Sequence, residues 1–81
     1  MVYFVYILKC SDDTLYTGIT TDLKRRLDEH NNSVKGAKYT KLRRPVSLMY
    51  SEESEDRSSA SKREYAIKKL SRLKKLELIN V

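Results

Sequence analysis

Eighty-one residues fit one domain, residues 1–81, and exclude a second, because a chain of this size buries only roughly 60% of its unfolded surface. Seventeen Lys and Arg against eleven Asp and Glu leave a net charge of +6, which points to a polyanionic partner, either nucleic acid or an acidic membrane surface. With 40% hydrophobic residues and six tyrosines, the chain has enough apolar material to fold, which excludes full disorder.

The first predicted element is a strand, Val2 to Leu8, dense in β-branched and aromatic residues and suited to burial on both faces. As the longest apolar run it falls far short of the ~20 residues that cross a bilayer. It also lacks the basic leader and small-residue cleavage site of a signal peptide. Cys10 is the single cysteine, so an internal disulfide and a cysteine metal cage are excluded, and it reads as a small buried hydrophobe. A soluble, cytoplasmic protein is the expectation.

Ser11-Asp12-Asp13 supplies turn chemistry, and Thr14 to Thr20 alternates, with Leu15, Thr17 and Ile19 on one face and Tyr16, Gly18 and Thr20 on the other. This is a β-hairpin. If its loop has an odd number of residues, such as Ser11 to Asp13, Tyr6 and Tyr16 point to the same face and Gly18 sits opposite Tyr6. Two phenols beside a glycine gap can position and deprotonate a water or bond to phosphate oxygens. Tyrosine is equally a good strand residue with a large packing area.

A helix follows, with Thr21 as its cap, Asp22 in its first turn, Leu23 and Leu27 one turn apart, and Asn31-Asn32-Ser33 at its end. Arg26 and His30, the only histidine, fall one turn apart on one edge of the apolar stripe. A guanidinium grips phosphate oxygens and an imidazole exchanges protons, although both residues also suit the wet margin of an amphipathic helix. Residues 32 to 44 form a loop with Lys35, Lys38, Lys41, Arg43 and Arg44 and no acid. Pro45 opens a third strand, Val46 to Ser51, with Val46, Leu48 and Tyr50 on one face. Glu52, Glu53, Glu55 and Asp56 read as an acidic link.

Asp56 caps a second helix, Arg57 to about Leu70, and Ser71 caps a third, in which Leu73, Leu76 and Ile79 recur at helical spacing. Between Arg57 and Lys75 stand eight basic residues and one acid, Glu64. Its helical angle places it with Ala60 and Ile67, toward the apolar stripe, where a carboxylate is costly unless paired or bound to a cation. One carboxylate with substrate phosphate is a common way to hold Mg²⁺, and an i,i+4 pair with Lys68 is the alternative. The fold class is α+β: a small, mainly antiparallel three-stranded sheet flanked by three helices, order β-β-α-β-α-α.

The strand bearing Val5-Tyr6, Tyr16-Thr17-Gly18 about ten residues later, Arg26, His30 and a helix-borne Glu64 together resemble the GIY-YIG endonucleases. The resemblance spans essentially the whole chain. It is closest to small stand-alone members akin to the amino-terminal nuclease domain of the UvrC excision-repair protein. Leu15 to Leu23, Lys35-Gly36-Ala37-Lys38-Tyr39-Thr40 and Arg63-Glu64-Tyr65 look like signatures of that group. The first motif, Phe4-Val5-Tyr6, keeps only its tyrosine, and the second has Thr17 where isoleucine is usual. Ile19 stands where some members carry a lysine, and no late asparagine is assigned.

The resemblance implies a metal-dependent DNA endonuclease, structure-selective or weakly sequence-specific, in DNA repair or processing, with DNA rather than a membrane as partner. Glu64 would hold Mg²⁺ or Mn²⁺. Tyr6 would act as general base or proton relay, with Tyr16 and His30 orienting water and phosphate. Arg26 would stabilise charge on the phosphate, and Gly18 would keep the approach open. Lys35, Lys38 and Lys41 would grip the backbone while Tyr39 stacks on an unpaired base. The competing expectations are a nucleic-acid-binding module without useful turnover and a small basic factor that assembles with RNA or protein.

Overall fold

The hydrophobic run near the amino terminus becomes the middle of the sheet. In a computed structural model that describes residues 2–80, β1 (Tyr3–Lys9) lies between β2 (Leu15–Thr20) and β3 (Ser47–Ser54), all antiparallel, in the order β2-β1-β3. The two ends of the expected 1–81 domain fall outside the described residues. The helices are α1 (Leu23–Asn32), α2 (Lys38–Lys41), α3 (Arg57–Lys68) and α4 (Arg72–Ile79). The predicted α+β class and order β-β-α-β-α-α hold, with α2 added as a single turn inside the basic loop.

A central strand must bury both faces, and alternation along β1 divides the core in two. Val5 and Ile7 pack with Ala60 and Ile67 of α3, and Leu78 and Ile79 of α4 close the margin. Tyr6 and Leu8 face the other way, with Cys10, Val46 and Tyr16, covered by Leu23 and Leu27 of α1. Cys10 is buried as expected. The hairpin loop is the odd one: Cys10 N donates to Thr14 O at 2.9 Å around Ser11–Asp13. Asp13 takes the left-handed conformation (φ 66°), which aspartate tolerates better than most side chains.

Several boundaries differ from the sequence reading. Asp22, not Thr21, caps α1, its carboxylate accepting from Arg25 N at 3.0 Å. Asp56 and Ser71 cap α3 and α4 as predicted. The strand β3 runs on through Glu52 and Glu53, which pair with Val5 and Phe4. An acidic strand is tolerated there because β3 is an edge and Glu52 accepts from Arg63 at 2.9 Å and from Tyr50 Oη at 2.6 Å.

Val46, Leu48 and Tyr50 do not share a face. A register shift sets Ile7 opposite Tyr50 and Leu8 opposite Leu48, so one inserted residue turns Tyr50 to the side of Ile7. In α4, Leu73 is exposed, and Leu78 joins Ile79 on the packed side instead. No helix among the described residues is long and apolar enough to cross a membrane.

Candidate active site

The hairpin brings two phenols to one face, as an odd loop requires. Tyr6 pairs with Gly18, and the ring centroids of Tyr6 and Tyr16 lie 6.5 Å apart. Gly18 does not provide the open approach expected of it. A Cβ there would lie 2.6 Å from Tyr6 Oη and 2.8 Å from Tyr6 Cζ, so the Tyr6 ring itself fills the gap. Glycine is needed because a phenol folds across the backbone.

His30 is fully buried rather than at the wet margin of α1. Its Nε2 lies 2.8 Å from Tyr6 Oη and its Nδ1 2.9 Å from Thr40 Oγ1. The Tyr16 ring meets the imidazole edge-on at 5.3 Å. Burial, then the Arg26 charge, pushes the His30 pKa down to about 4. Burial, then Tyr16, pushes Tyr6 up to about 12, with the neighbouring Arg26 guanidinium opposing the rise. Both groups are neutral at pH 7. His30 is sealed from solvent, and its two ring nitrogens face Tyr6 and Thr40.

Arg26 sits one turn before His30. Its Nη1 donates to Glu29 Oε1 at 2.9 Å and to Lys35 O at 2.8 Å. The hydrogen bond and charge of Arg26 hold the Glu29 carboxyl below its usual range. Besides adjoining Tyr6, Arg26 lines a cavity of about 350 Å³ whose walls include Ile19, Arg25, Glu29 and Arg57. Three guanidinium groups against one carboxylate make that cavity suited to a phosphate.

Glu64 comes from α3, the helix whose Ala60 and Ile67 pack on Val5 and Ile7. Lys68 Nζ lies 3.3 Å from its Oε2, in the i,i+4 pair that the sequence allows. Among the described residues Glu64 makes no hydrogen bond to the Tyr6–His30–Thr40 group, but its charge is near enough to contribute to the rise of Tyr6, as the smallest of the causes. No cluster of three or more His, Cys, Asp or Glu side chains able to hold a metal occurs among the described residues. A lone carboxylate, its side chain 23% exposed, fits a Mg²⁺ ion that keeps most of its waters and shares a phosphate. It does not fit a preformed cage.

The basic loop divides into two kinds of cation. Lys35, Lys38 and Lys41 are exposed, and among the described residues none has a carboxylate within 4.0 Å. Arg43 and Arg44 serve the fold. Arg44 donates to His30 O and Ser33 O, both at 2.6 Å, satisfying carbonyls at the end of α1. Arg43 bonds Asp12 at 3.1 Å and covers the Tyr39 ring at 3.9 Å from its centroid. Tyr39 also stacks on Tyr16 at 5.8 Å. Its ring, 39% exposed, is engaged by two neighbours and forms part of the site wall.

Three participants carried no assigned role in the sequence. Thr40 bonds His30, Glu29 holds Arg26, and Gly36 lets the loop close on α1, since a Cβ there would lie 2.6 Å from Glu29 O and 2.9 Å from His30 Cα. The one legible signal was the Gly36 in the Lys35–Thr40 stretch, because glycine marks close backbone approach.

Residues 2–77 match the family described as the GIY-YIG catalytic domain. A UPF0213 protein of Desulfotalea psychrophila is 62% identical over 77 residues, 95% of this chain and 70% of its own length. The solution NMR structure of a UPF0213 protein from Bacillus halodurans is similar at a TM-score of 0.62 and 45% identity, covering 99% of this chain and 84% of that one. A second NMR structure, of an E. faecalis protein, gives a TM-score of 0.67 at 46% identity with the same coverage of each chain.

Proposed function

The chain belongs to the GIY-YIG family, and from that membership we propose that it is a metal-dependent DNA endonuclease whose reaction is run by the group around Tyr6. The observation that carries this reading is the 2.8 Å contact between Tyr6 Oη and His30 Nε2, with the Arg26 charge acting on both groups. The exposed lysines Lys35, Lys38 and Lys41, suited to backbone rather than base contacts, support structure-selective or weakly sequence-specific cutting, as in DNA repair or processing.

A phosphate beside Tyr6 meets Arg26, which is held in place by Glu29 and Lys35 O and offers charge to the developing oxyanion. Tyr16, the less buried phenol, orients the attacking water. Tyr6, 2% exposed, takes up the water's proton as its own passes to His30 Nε2. A phenol raised to about 12 is not a phenolate at pH 7, so relay rather than a standing base is the role that suits it. A phosphate paired with Arg26 also cancels part of the positive charge that depresses His30. Glu64 would hold a divalent ion, Mg²⁺ or Mn²⁺. When bound, such an ion supplies Lewis-acid polarisation of the phosphate and stabilises the leaving oxygen. Lys35, Lys38 and Lys41 grip the DNA backbone, with Tyr39 shaping the wall beside Tyr16.

The test is a nicking assay on branched, flapped and single-stranded DNA with Mg²⁺ or Mn²⁺, comparing wild type with Glu64→Ala. The expected result is cleavage by wild type, loss of at least about 10²-fold in the variant, and DNA binding close to unchanged. Wild-type cleavage no greater than that of the variant on every substrate would reject the enzyme and leave a binding module.

A further inference from the structure

Thr40 sits in the single turn α2 and is fully buried against His30. Four contacts surround the imidazole and its partner. Tyr6 Oη is 2.8 Å from Nε2, Thr40 Oγ1 is 2.9 Å from Nδ1, Thr40 Oγ1 is 2.9 Å from Ala37 O, and Ala37 N is 3.4 Å from Nδ1. A neutral imidazole has one N–H to share among these.

The Ala37 carbonyl can only accept, so its contact with Thr40 consumes the one hydroxyl proton. Thr40 then presents lone pairs to Nδ1, and the proton between them must belong to the ring. With Nδ1 protonated, Nε2 is bare and accepts from the Tyr6 hydroxyl. This assignment turns all three contacts of 2.9 Å or less into hydrogen bonds and forgoes only the 3.4 Å approach of Ala37 N. The opposite tautomer keeps that weak contact, but the Thr40 hydroxyl can then serve either Nδ1 or Ala37 O. It leaves one lone-pair contact at 2.9 Å in a dry interior, where an unmade hydrogen bond is costly.

We propose that Thr40 is a positioning residue that fixes His30 in the Nδ1–H tautomer, so that Nε2 is free to receive the Tyr6 proton; its value to catalysis rests on the nuclease reading above, while its effect on the ring does not. The relay balances. The water O–H bond breaks as its proton joins the Tyr6 oxygen, and the Tyr6 O–H bond breaks as its proton joins Nε2, leaving hydroxide to attack phosphorus and an imidazolium whose Nδ1–H stays bonded to Thr40. Docking of the loop makes this possible, since Gly36 has no Cβ to hold α2 away from Glu29 O and His30 Cα.

His30 is the only histidine, so a long-range ¹H–¹⁵N correlation spectrum at pH 7 reports a single imidazole. The expected spectrum has a protonated Nδ1 and an unprotonated Nε2 in wild type and in Thr40→Ser, and a shift toward Nε2–H in Thr40→Val. On a cleavable DNA substrate, Thr40→Val should lower kcat by about 10²-fold with KM unchanged, and Thr40→Ser should restore it. A wild-type ring protonated at Nε2 would overturn the proposal even if no variant folds, and so would an Nδ1–H tautomer that survives Thr40→Val. The expected tautomers without any cleavage would uphold the assignment and count against the nuclease reading alone.

Discussion

The two faces of the central strand differ in chemistry although they alternate residue by residue. On one side Val5 and Ile7 meet Ala60 and Ile67 in a dry apolar layer. On the other, Tyr6 and Leu8 share their layer with a buried hydrogen-bonded group of Tyr6, His30 and Thr40. A buried polar group costs stability unless it is connected, and the polar face meets that cost with hydrogen bonds among Tyr6, His30 and Thr40. The apolar face, by contrast, holds one buried polar atom without a hydrogen-bond partner among the described residues, Thr17 Oγ1, and no network.

Acid should break this contrast first, on the polar face. The His30 pKa lies at about 4 in the fold against 6.5 in the unfolded chain. Because the folded value is depressed, the unfolded state takes up the proton first. The stability that His30 contributes is complete above pH 6.5 and is lost as pH falls through about 4. At about 1.4 kcal/mol per pH unit this is roughly 3 kcal/mol. Denaturant melts of wild type and His30→Gln at pH 7, 5.5 and 4.5 should differ in slope across this window; parallel curves would remove His30 from the account.

Filling the Gly18 gap should have the next largest effect. The added methyl of Gly18→Ala would overlap Tyr6 Oη and Cζ, where the distances are 2.6 and 2.8 Å, and overpacking of this kind costs about 2 kcal/mol. Displacement of the phenol should also be visible in the His30 ring resonances. A melt at the wild-type midpoint with unchanged resonances would show that the ring was never folded over Gly18.

The smallest change belongs to the apolar face. Thr17 is 3% exposed, and replacing its unpaired hydroxyl with a methyl in Thr17→Val should stabilise the fold by about 1 kcal/mol while leaving the polar face untouched. A loss of stability or a shift of the His30 resonances would show that the hydroxyl has a partner and that the two faces are coupled.

Much of this division was legible in the sequence, because it follows from periodicity. Alternation in residues 14 to 20 and an odd turn at Ser11–Asp13 set Tyr6, Tyr16 and Gly18 together, and the Arg26–His30 spacing put both on one edge of the apolar stripe of α1. What escaped depends on contacts without a period. The inserted residue that turns Tyr50 away from Leu48 leaves no compositional mark. Glu52 and Glu53 looked like a linker because acids are depleted in strands, whereas Arg63 and Tyr50 neutralise that cost for Glu52 at an edge. Thr40 reaches His30 across ten residues, and its identity in a basic loop says nothing of that. The space beside Gly18 was read correctly as a gap but assigned to substrate, when the Tyr6 ring occupies it.

The polar face is proposed above as a catalytic group organised on the Tyr6 hydroxyl. It is tested most directly by comparing Mg²⁺-dependent nicking of branched DNA by wild type and Tyr6→Phe, with DNA affinity measured in parallel. A catalytic Tyr6 hydroxyl predicts matched binding and a loss of about 10²- to 10⁴-fold in kcat. Equal turnover by the two proteins would contradict it.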